Sequence, residues 1–550
     1  MSEDITNDTG INFPVLKGKK GVEHIKLKLM KGDEIALLDV REEAEHATGH
    51  PLFASHLSLS RLELQILVRL PLKSVDIVVF DGGHDDDRAQ RAAERLKNLG
   101  YHHISLFENG VSGWIEGGGE SFIDVNAPSK AFGELVESVC HTPSISADEL
   151  DRLLGSDNPP VVVDARRFDE YHTMNIPGSI SVPGAELALR IKSLVPDQKK
   201  RVIVNCAGRT RSIIGTQSLI NAGIPNPVNA LRNGTIGWTL AGYSLEHGQN
   251  RTYSHEVSDL YSNEDIAQQR IRALSLATQT GLHRAGSADI DHFKRDQQRT
   301  TYFIDVRSPE EYAKGHLPDF INIPGGQLVQ ETEAVASVRG ARIVLTDDDG
   351  IRANLTGHWL AQMNWEVWII DQVPASDLIA THQNIARPSH TDVELIPTAT
   401  LNQWLQEEDI EVYDLSHSSN YKTGHIPSAA YIHRADLRSK LPRHSSHKRV
   451  LTCGTSLLAG YAAAELVDLG YNNIHVLEGG NQAWQAASLP LEKGATRLLS
   501  PLSDRYARPY EGSDNPREAM EAYLEWEYGL VAQLRRDGTH GFSVLKEKSF

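Results

Sequence analysis

The sequence predicts an α/β protein of four tandem modules, each a small, mainly parallel sheet covered by helices, followed by a C-terminal helical tail. Three observations predict it. A short apolar strand ending in Asp recurs as Leu37-Leu-Asp39-Val-Arg41, Val162-Val-Asp164-Ala-Arg166, Phe303-Ile-Asp305-Val-Arg307 and Val412-Tyr-Asp414-Leu-Ser416. A second strand opens into a loop at Asp81, Cys206, Asp347 and Cys453, 42 residues past that Asp in the first three copies and 39 past it in the fourth. Between these strands the pattern turns helical, and alternating strands and helices make parallel α/β units. Four matches at nearly one spacing define a repeat architecture. Parallel strands need cover on both faces, and reactive loops lie beyond their carboxyl ends.

Taken in order, the first module spans 1–125, its first residues reading as a leader. Its loop, Asp81-Gly-Gly-His-Asp-Asp86, shows neither thiol nor arginine. It offers carboxylates where an anion would sit, so repulsion should keep anions out and the module should be catalytically silent. A metal reading of Asp81, His84, Asp85 and Asp86 is weaker than that of a solvated acidic helix start. The second module spans 142–250 and opens on Ser146-Ala-Asp-Glu149, a capping-box pattern. The third spans 265–385, with a helix expected near 265–280. Its loop, Asp347-Asp-Asp-Gly-Ile-Arg352, keeps a closing arginine but puts Asp347 at the nucleophile position. The fourth spans 391–495, with a helix opening at Thr398. Its loop, Cys453-Gly-Thr-Ser-Leu-Leu458, keeps the thiol and replaces the closing arginine by Leu458. The tail, 496–550, carries a helical pattern in which Met520, Leu524, Tyr528 and Leu530 share one broad face. That face is expected to pack back on the modules.

The stretch with the most chemistry is Val202-Ile-Val-Asn-Cys206-Ala-Gly-Arg-Thr-Arg211-Ser. It reads as a strand, a tight turn and a helix start. Such a loop can curl its backbone N–H groups around one point, and the helix adds its positive end. A thiol there is expected to ionise more readily than a free one. Cys206 is the expected nucleophile and Cys453 a second candidate. Cys140 lacks a comparable basic or glycine-rich setting and reads as an inert thiol.

Composition sets the surroundings. Five hundred and fifty residues are too many for one core and suggest about four domains. A formal charge of -18 argues against nucleic acid and anionic membranes as partners. Three cysteines in so long a chain are no disulfide framework and suit a reducing, cytoplasmic setting. No signal-peptide pattern, apolar run of membrane length, CxxC or HExxH stands in the sequence, so neither a metal nor a cofactor is expected.

The run Asp305-Val-Arg-Ser-Pro-Glu-Glu-Tyr-Ala-Lys-Gly-His-Leu-Pro318 and its three counterparts resemble the signature of the rhodanese family, and Cys206-Ala-Gly-Arg-Thr-Arg211 resembles its active loop. The resemblance covers 21–495 as four modules. It implies a sulfurtransferase in which a small anionic donor, thiosulfate or 3-mercaptopyruvate, loads a sulfane sulfur onto Cys206. Cyanide, a thiol or a protein cysteine would then remove it. On this reading the backbone of Ala207, Gly208 and Thr210 binds the persulfide, Arg211 closes the loop and Arg209 orients the donor. Asp164 and Arg166 tie the module together. Tandem sulfurtransferases of the family have two modules with the active cysteine in the second; this chain has four. Related folds host cysteine phosphatases and arsenate reductases, but phosphatases place five residues between Cys and Arg where this chain places four. A non-catalytic sulfur-carrier or sensor scaffold is the other alternative, favoured by the two Asp loops.

Overall fold

A computed structural model of the chain describes residues 12–253, 263–370, 378–379, 387–407, 409–509, 511 and 516–546. Most of the expected leader and, at the end of the third module, 371–377 and 380–385 lie outside them.

The four expected sheets form, and each follows one plan. In the second module the order is Ser144–Ile145, Val228–Leu231, Val202–Asn205, Val161–Asp164, Ile180–Ser181, all parallel. The third runs His283–Arg284, Glu366–Ile369, Arg342–Thr346, Thr301–Asp305, Ile321–Asn322, and the fourth runs Leu395–Ile396, Ile474–Leu477, Lys448–Thr452, Ile410–Asp414, Ala430–Tyr431. The central strands are runs of β-branched and apolar residues because both faces are covered; Val202, Ile203 and Val204 are wholly buried. The Asp-terminated strand and the loop strand lie side by side, with Asp164 opposite Asn205. Two sequence-distant motifs thereby meet at one sheet end.

The first sheet differs. Its strands Val15–Leu16, Ile104–Phe107, Asp76–Phe80, Ile35–Asp39 and Ala54–His56 are parallel, but Val338–Arg339 from the third module joins Ile35–Ala36 antiparallel. The joint is reinforced where Tyr302 donates to the carbonyl of Arg69 at 2.7 Å and Arg69 donates to Ser337 at 3.0 Å. One apolar cluster consequently runs through modules one and three.

Helix boundaries follow local chemistry. Ser146 accepts the N–H of Glu149 at the start of Ala147–Leu154, although Glu149 does not complete the reciprocal half of the box. The helix expected near 265–280 is Asn263–Gln279, and that of module four is Thr398–Glu407. The tail forms one helix, Arg517–Asp537. It packs Met520, Tyr523 and Leu524 against Ile236 of module two. Its other end reaches module one, where Gln533 donates to the Ser121 carbonyl. The expected tail face needs one correction: Tyr528 is 52% exposed, and Glu527 and Leu534 are buried instead. Among the described residues no helix is long and apolar enough to cross a membrane.

Candidate active site

The scaffold beneath three of the loops is an ion pair inside the sheet end. In module two, Arg166 donates to both Asp164 oxygens at 2.9 and 2.8 Å and to the Met174 carbonyl at 2.6 Å. Asn205 adds a bond to Asp164 at 2.8 Å. Arg41–Asp39 and Arg307–Asp305 repeat the arrangement, reaching the carbonyls of Gly49 and Gly315. In module four the arginine is Ser416, whose N–H holds Asp414, and Asn481 holds the other carboxylate oxygen.

A second pair ties three of the loops to the helix after the first strand. Arg211 grips Glu170 with two bonds of 2.7 and 2.8 Å. Burial works against the charged form of Glu170, but Arg211 outweighs it and holds the carboxyl down at about 2. Arg352–Glu311 repeats this pair. Module one repeats it too, through Arg88 and Glu45 at 2.7 and 2.8 Å. The stretch 81–86 itself holds no arginine, but Arg88 just beyond it closes the loop. The arginine comes two residues later than the repeat spacing predicts, because the acidic loop is longer. In module four both members change together, to Asn420 and Leu458, so no charge is left unpaired at that position.

The loop head then decides chemistry. The N–H of the residue in the first turn of the following helix reaches the loop-head side chain in every module. In modules one and three it meets a carboxylate. Asp81 accepts from Gly83 and Ala89 at 2.9 and 3.1 Å, and Asp347 accepts from Gly350 and Ala353 at 3.0 and 2.8 Å. These carboxylates occupy the amide cradle themselves. Burial and Asp86 push the Asp81 carboxyl up to about 6, and burial with Asp349 pushes Asp347 well above the usual range. A cavity of about 490 Å³ opens beside Asp347, with Arg307, Asp348 and Asp349 on its wall. Among the described residues no group of His, Cys, Asp or Glu is arranged to hold a metal ion.

In modules two and four the same place holds a thiol. Ser212 lies against Cys206 and lowers the cost of its thiolate, its hydroxyl donating to the Arg209 carbonyl at 2.8 Å, while the backbone N–H groups of Thr455, Leu458 and Ala459 favour a thiolate at Cys453, whose thiol donates to the Thr455 carbonyl. The expected easy ionisation is not what the surroundings give. Burial pushes the Cys206 thiol up, against the pull of Arg211 and Ser212, and Glu527 adds to the rise. Burial also pushes Cys453 up, against its three N–H donors.

Access separates the two loops. Every residue from Val202 to Thr210 is buried. The tail helix lies on the loop: a Cβ placed on Gly208 would meet Glu527 Oε2 and Tyr523 Cε1, both at 3.1 Å. Thr210 packs on Gly133 of the linker helix Ala127–Cys140. Arg209, expected to orient a donor, is engaged by neighbouring side chains. It donates to Glu134 at 2.6 and 2.9 Å and to Glu137, bonds Asn233 at 3.2 Å and lies 4.1 Å from the Tyr528 ring centre. A guanidinium this near two carboxylates holds the linker helix, the loop and the tail together. Around Cys453, Thr455 is exposed and a Cβ on Gly454 would meet open space. A cleft of about 570 Å³ reaches Arg211 and Arg166, edged by Lys422, Arg505 and Arg508. Cys140 is half-buried with its sulfur 3.7 Å from the Leu545 carbonyl, outside all four loops.

The model of the rhodanese-like domain matches residues 24–116, 146–241, 289–372 and 398–487. The chain belongs to the rhodanese family. A crystal structure titled thiosulfate sulfurtransferase, from Pseudomonas aeruginosa, is 52% identical and superposes with a TM-score of 0.92, over 98% of this chain and 100% of that one. The thiosulfate sulfurtransferase GlpE of Pseudoalteromonas translucida is 26% identical over 93 residues, 17% of this chain and 89% of GlpE. An uncharacterized Synechocystis protein is 32% identical over 117 residues, 21% of this chain and 65% of that protein.

Sequence reasoning about the rhodanese loops missed Ser212, Glu527 and Tyr523. Ser212 directly follows Arg211 and its hydroxyl was a readable signal. Glu527 and Tyr523 stand more than 300 residues away, and nothing local ties them to Cys206.

Proposed function

We propose that this four-module rhodanese is a sulfurtransferase that takes a sulfane sulfur from a small anionic donor such as thiosulfate and passes it to a thiophilic acceptor through a persulfide on Cys206. The observation that carries the reading is the alternation at the loop head. The helix-start amide that holds a carboxylate in modules one and three meets a thiol in modules two and four. A site able to hold one anion by backbone donors can hold a thiolate or persulfide in its place. The full-length likeness to a thiosulfate sulfurtransferase supports the same activity.

The chemistry runs in two half-reactions. Sγ of Cys206 gives up its proton and attacks the outer sulfur of thiosulfate. The donor's S–S bond breaks, and sulfite leaves with the electron pair. The terminal persulfide sulfur then carries the negative charge beside Ser212 and Arg211. In the second step an acceptor thiolate or cyanide attacks that sulfur, and Cys206 regains a proton. Each product leaves before the next reactant acts, so ping-pong kinetics follow. Arg211, bound to Glu170, fixes the loop and supplies positive field. Arg209 keeps the loop docked and takes no part in donor binding. The donor reaches Cys206 only when the Glu527–Tyr523 contact over Gly208 opens; the cleft that reaches Arg211 has mixed charge, with Lys422 and Arg505 beside Asp169, Glu331 and Glu511. Three free thiols suit a reducing cytoplasm.

Incubation with thiosulfate followed by peptide mass spectrometry tests the reading. A one-sulfur adduct on the Cys206 peptide, removed by cyanide, is the expected result. A Cys206 peptide left unmodified by thiosulfate and by mercaptopyruvate would overturn it.

A further inference from the structure

Glu527 is a charged residue type in a place with little to neutralise it. It is 1% exposed in the middle of the tail helix. Tyr523 donates to one carboxyl oxygen at 2.9 Å. The other oxygen, Oε2, is buried, finds no hydrogen-bond partner among the described residues and faces Gly208 of the Cys206 loop. A buried, unsatisfied carboxylate oxygen is costly, and a protonated carboxyl costs far less.

The cations around it are already engaged. Lys130 of the linker helix pairs with Asp124 at 2.8 Å, its ammonium lying over the Tyr523 and Trp526 rings. Arg209 is held by Glu134 and Glu137, and Arg211 by Glu170. Three cations thus face four carboxylates before either Glu527 or Cys206 ionises. Arg508 also acts on Lys130 from the tail segment. A second and third anion in this enclosure repel each other with little solvent between them.

We propose that Glu527 sets the charge state of the Cys206 loop: an anionic sulfur forms at Cys206 only while Glu527 is protonated, so the tail governs how readily module two is charged with sulfur. This rests on the reading of Cys206 as the sulfur carrier. With Glu527 protonated throughout, the proton leaving Sγ as the new S–S bond forms goes to solvent and one returns when the acceptor removes the sulfur, so the loop never holds the sulfur anion and the Glu527 carboxylate together. Burial, with Glu134 opposing Lys130, pushes the Glu527 carboxyl up to about 8, which keeps it protonated in neutral solution. Glu527 acts through the enclosure and is a positioning residue.

The test is a pH titration of thiolate absorbance in the full chain, with the Cys206 contribution isolated by subtracting the Cys206→Ser protein. Glu527→Gln, neutral at every pH and nearly isosteric, is expected to move the Cys206 curve to lower pH by roughly half a unit or more. The Cys453 contribution in the same molecules should stay where it is. Tyr523→Phe withdraws the hydroxyl that favours the carboxylate, so it should move the Cys206 curve the same way by less. This second variant keeps the question decidable if Glu527→Gln unfolds. An unmoved Cys206 curve in the folded variants, or one that moves together with that of Cys453, overturns the proposal. The sulfur-carrier reading fails separately, by absence of a sulfur adduct on Cys206 in the unaltered protein.

Discussion

The Cys206 and Cys453 loops follow the same kind of strand and differ in setting. The first has two arginines within it and is roofed by two helices; the second has no arginine, and residues 454–457 reach solvent although Cys453 itself is buried. Charge and access have been divided between them. The lesson is that the loop best equipped by sequence is the one least reachable in the folded chain. Its equipment serves assembly as well as chemistry, since Arg209 spends its charge on the linker helix and Arg211 on Glu170.

The contrast can be broken most decisively by deletion. Cys206→Ala is expected to lower sulfur transfer by on the order of 10³-fold or more, whereas Cys453→Ala should cost less. Steady-state rates with thiosulfate and cyanide decide it, and the reverse ranking would hand the reaction to module four. The difference in access predicts labelling rates. With iodoacetamide at neutral pH, read peptide by peptide, Cys453 should react about 100-fold faster than Cys206. Equal rates would show that the roof over Gly208 does not seal the loop.

The closing pair gives a finer test. Arg211→Leu alone leaves Glu170 half-enclosed without its partner and should cost about 2 kcal/mol of stability. Adding Glu170→Asn reproduces the module-four combination and should recover about half of that loss. Denaturant unfolding of the four proteins of the cycle measures it. The smallest effect concerns pH. Glu170 has a lowered carboxyl in the folded chain, so its contribution is complete above the unfolded value near 4.5 and is lost as pH falls towards about 2. The Arg211→Leu protein should therefore lose stability less steeply than the unaltered one across that acid window, as thermal unfolding would show.

What could be read from the sequence was the local part. The Asp-terminated strands, the loop strands and the cysteines that head two loops are marked by neighbouring residues, and each sits where its spacing puts it. What escaped was set by distance. Arg88 was hidden by two extra loop residues, because a fixed offset points to Asp86 instead. The partners of Arg209 were out of sight, because Glu134 lies 75 residues back on a linker helix and Tyr528 lies over 300 residues ahead. The thiol of Cys206 appeared easily ionised because the loop favours an anion, while the burial that opposes this comes from the tail.

The strand Val338–Arg339 limits how this protein can be taken apart. It belongs by sequence to the third module, yet it covers an edge of the first module's sheet at Ile35–Ala36. Excising module three would bare backbone donors and acceptors there, an invitation to intermolecular strand pairing. Gene fragments that end between the second and third modules should accordingly yield insoluble product, so modules one and three must be engineered together.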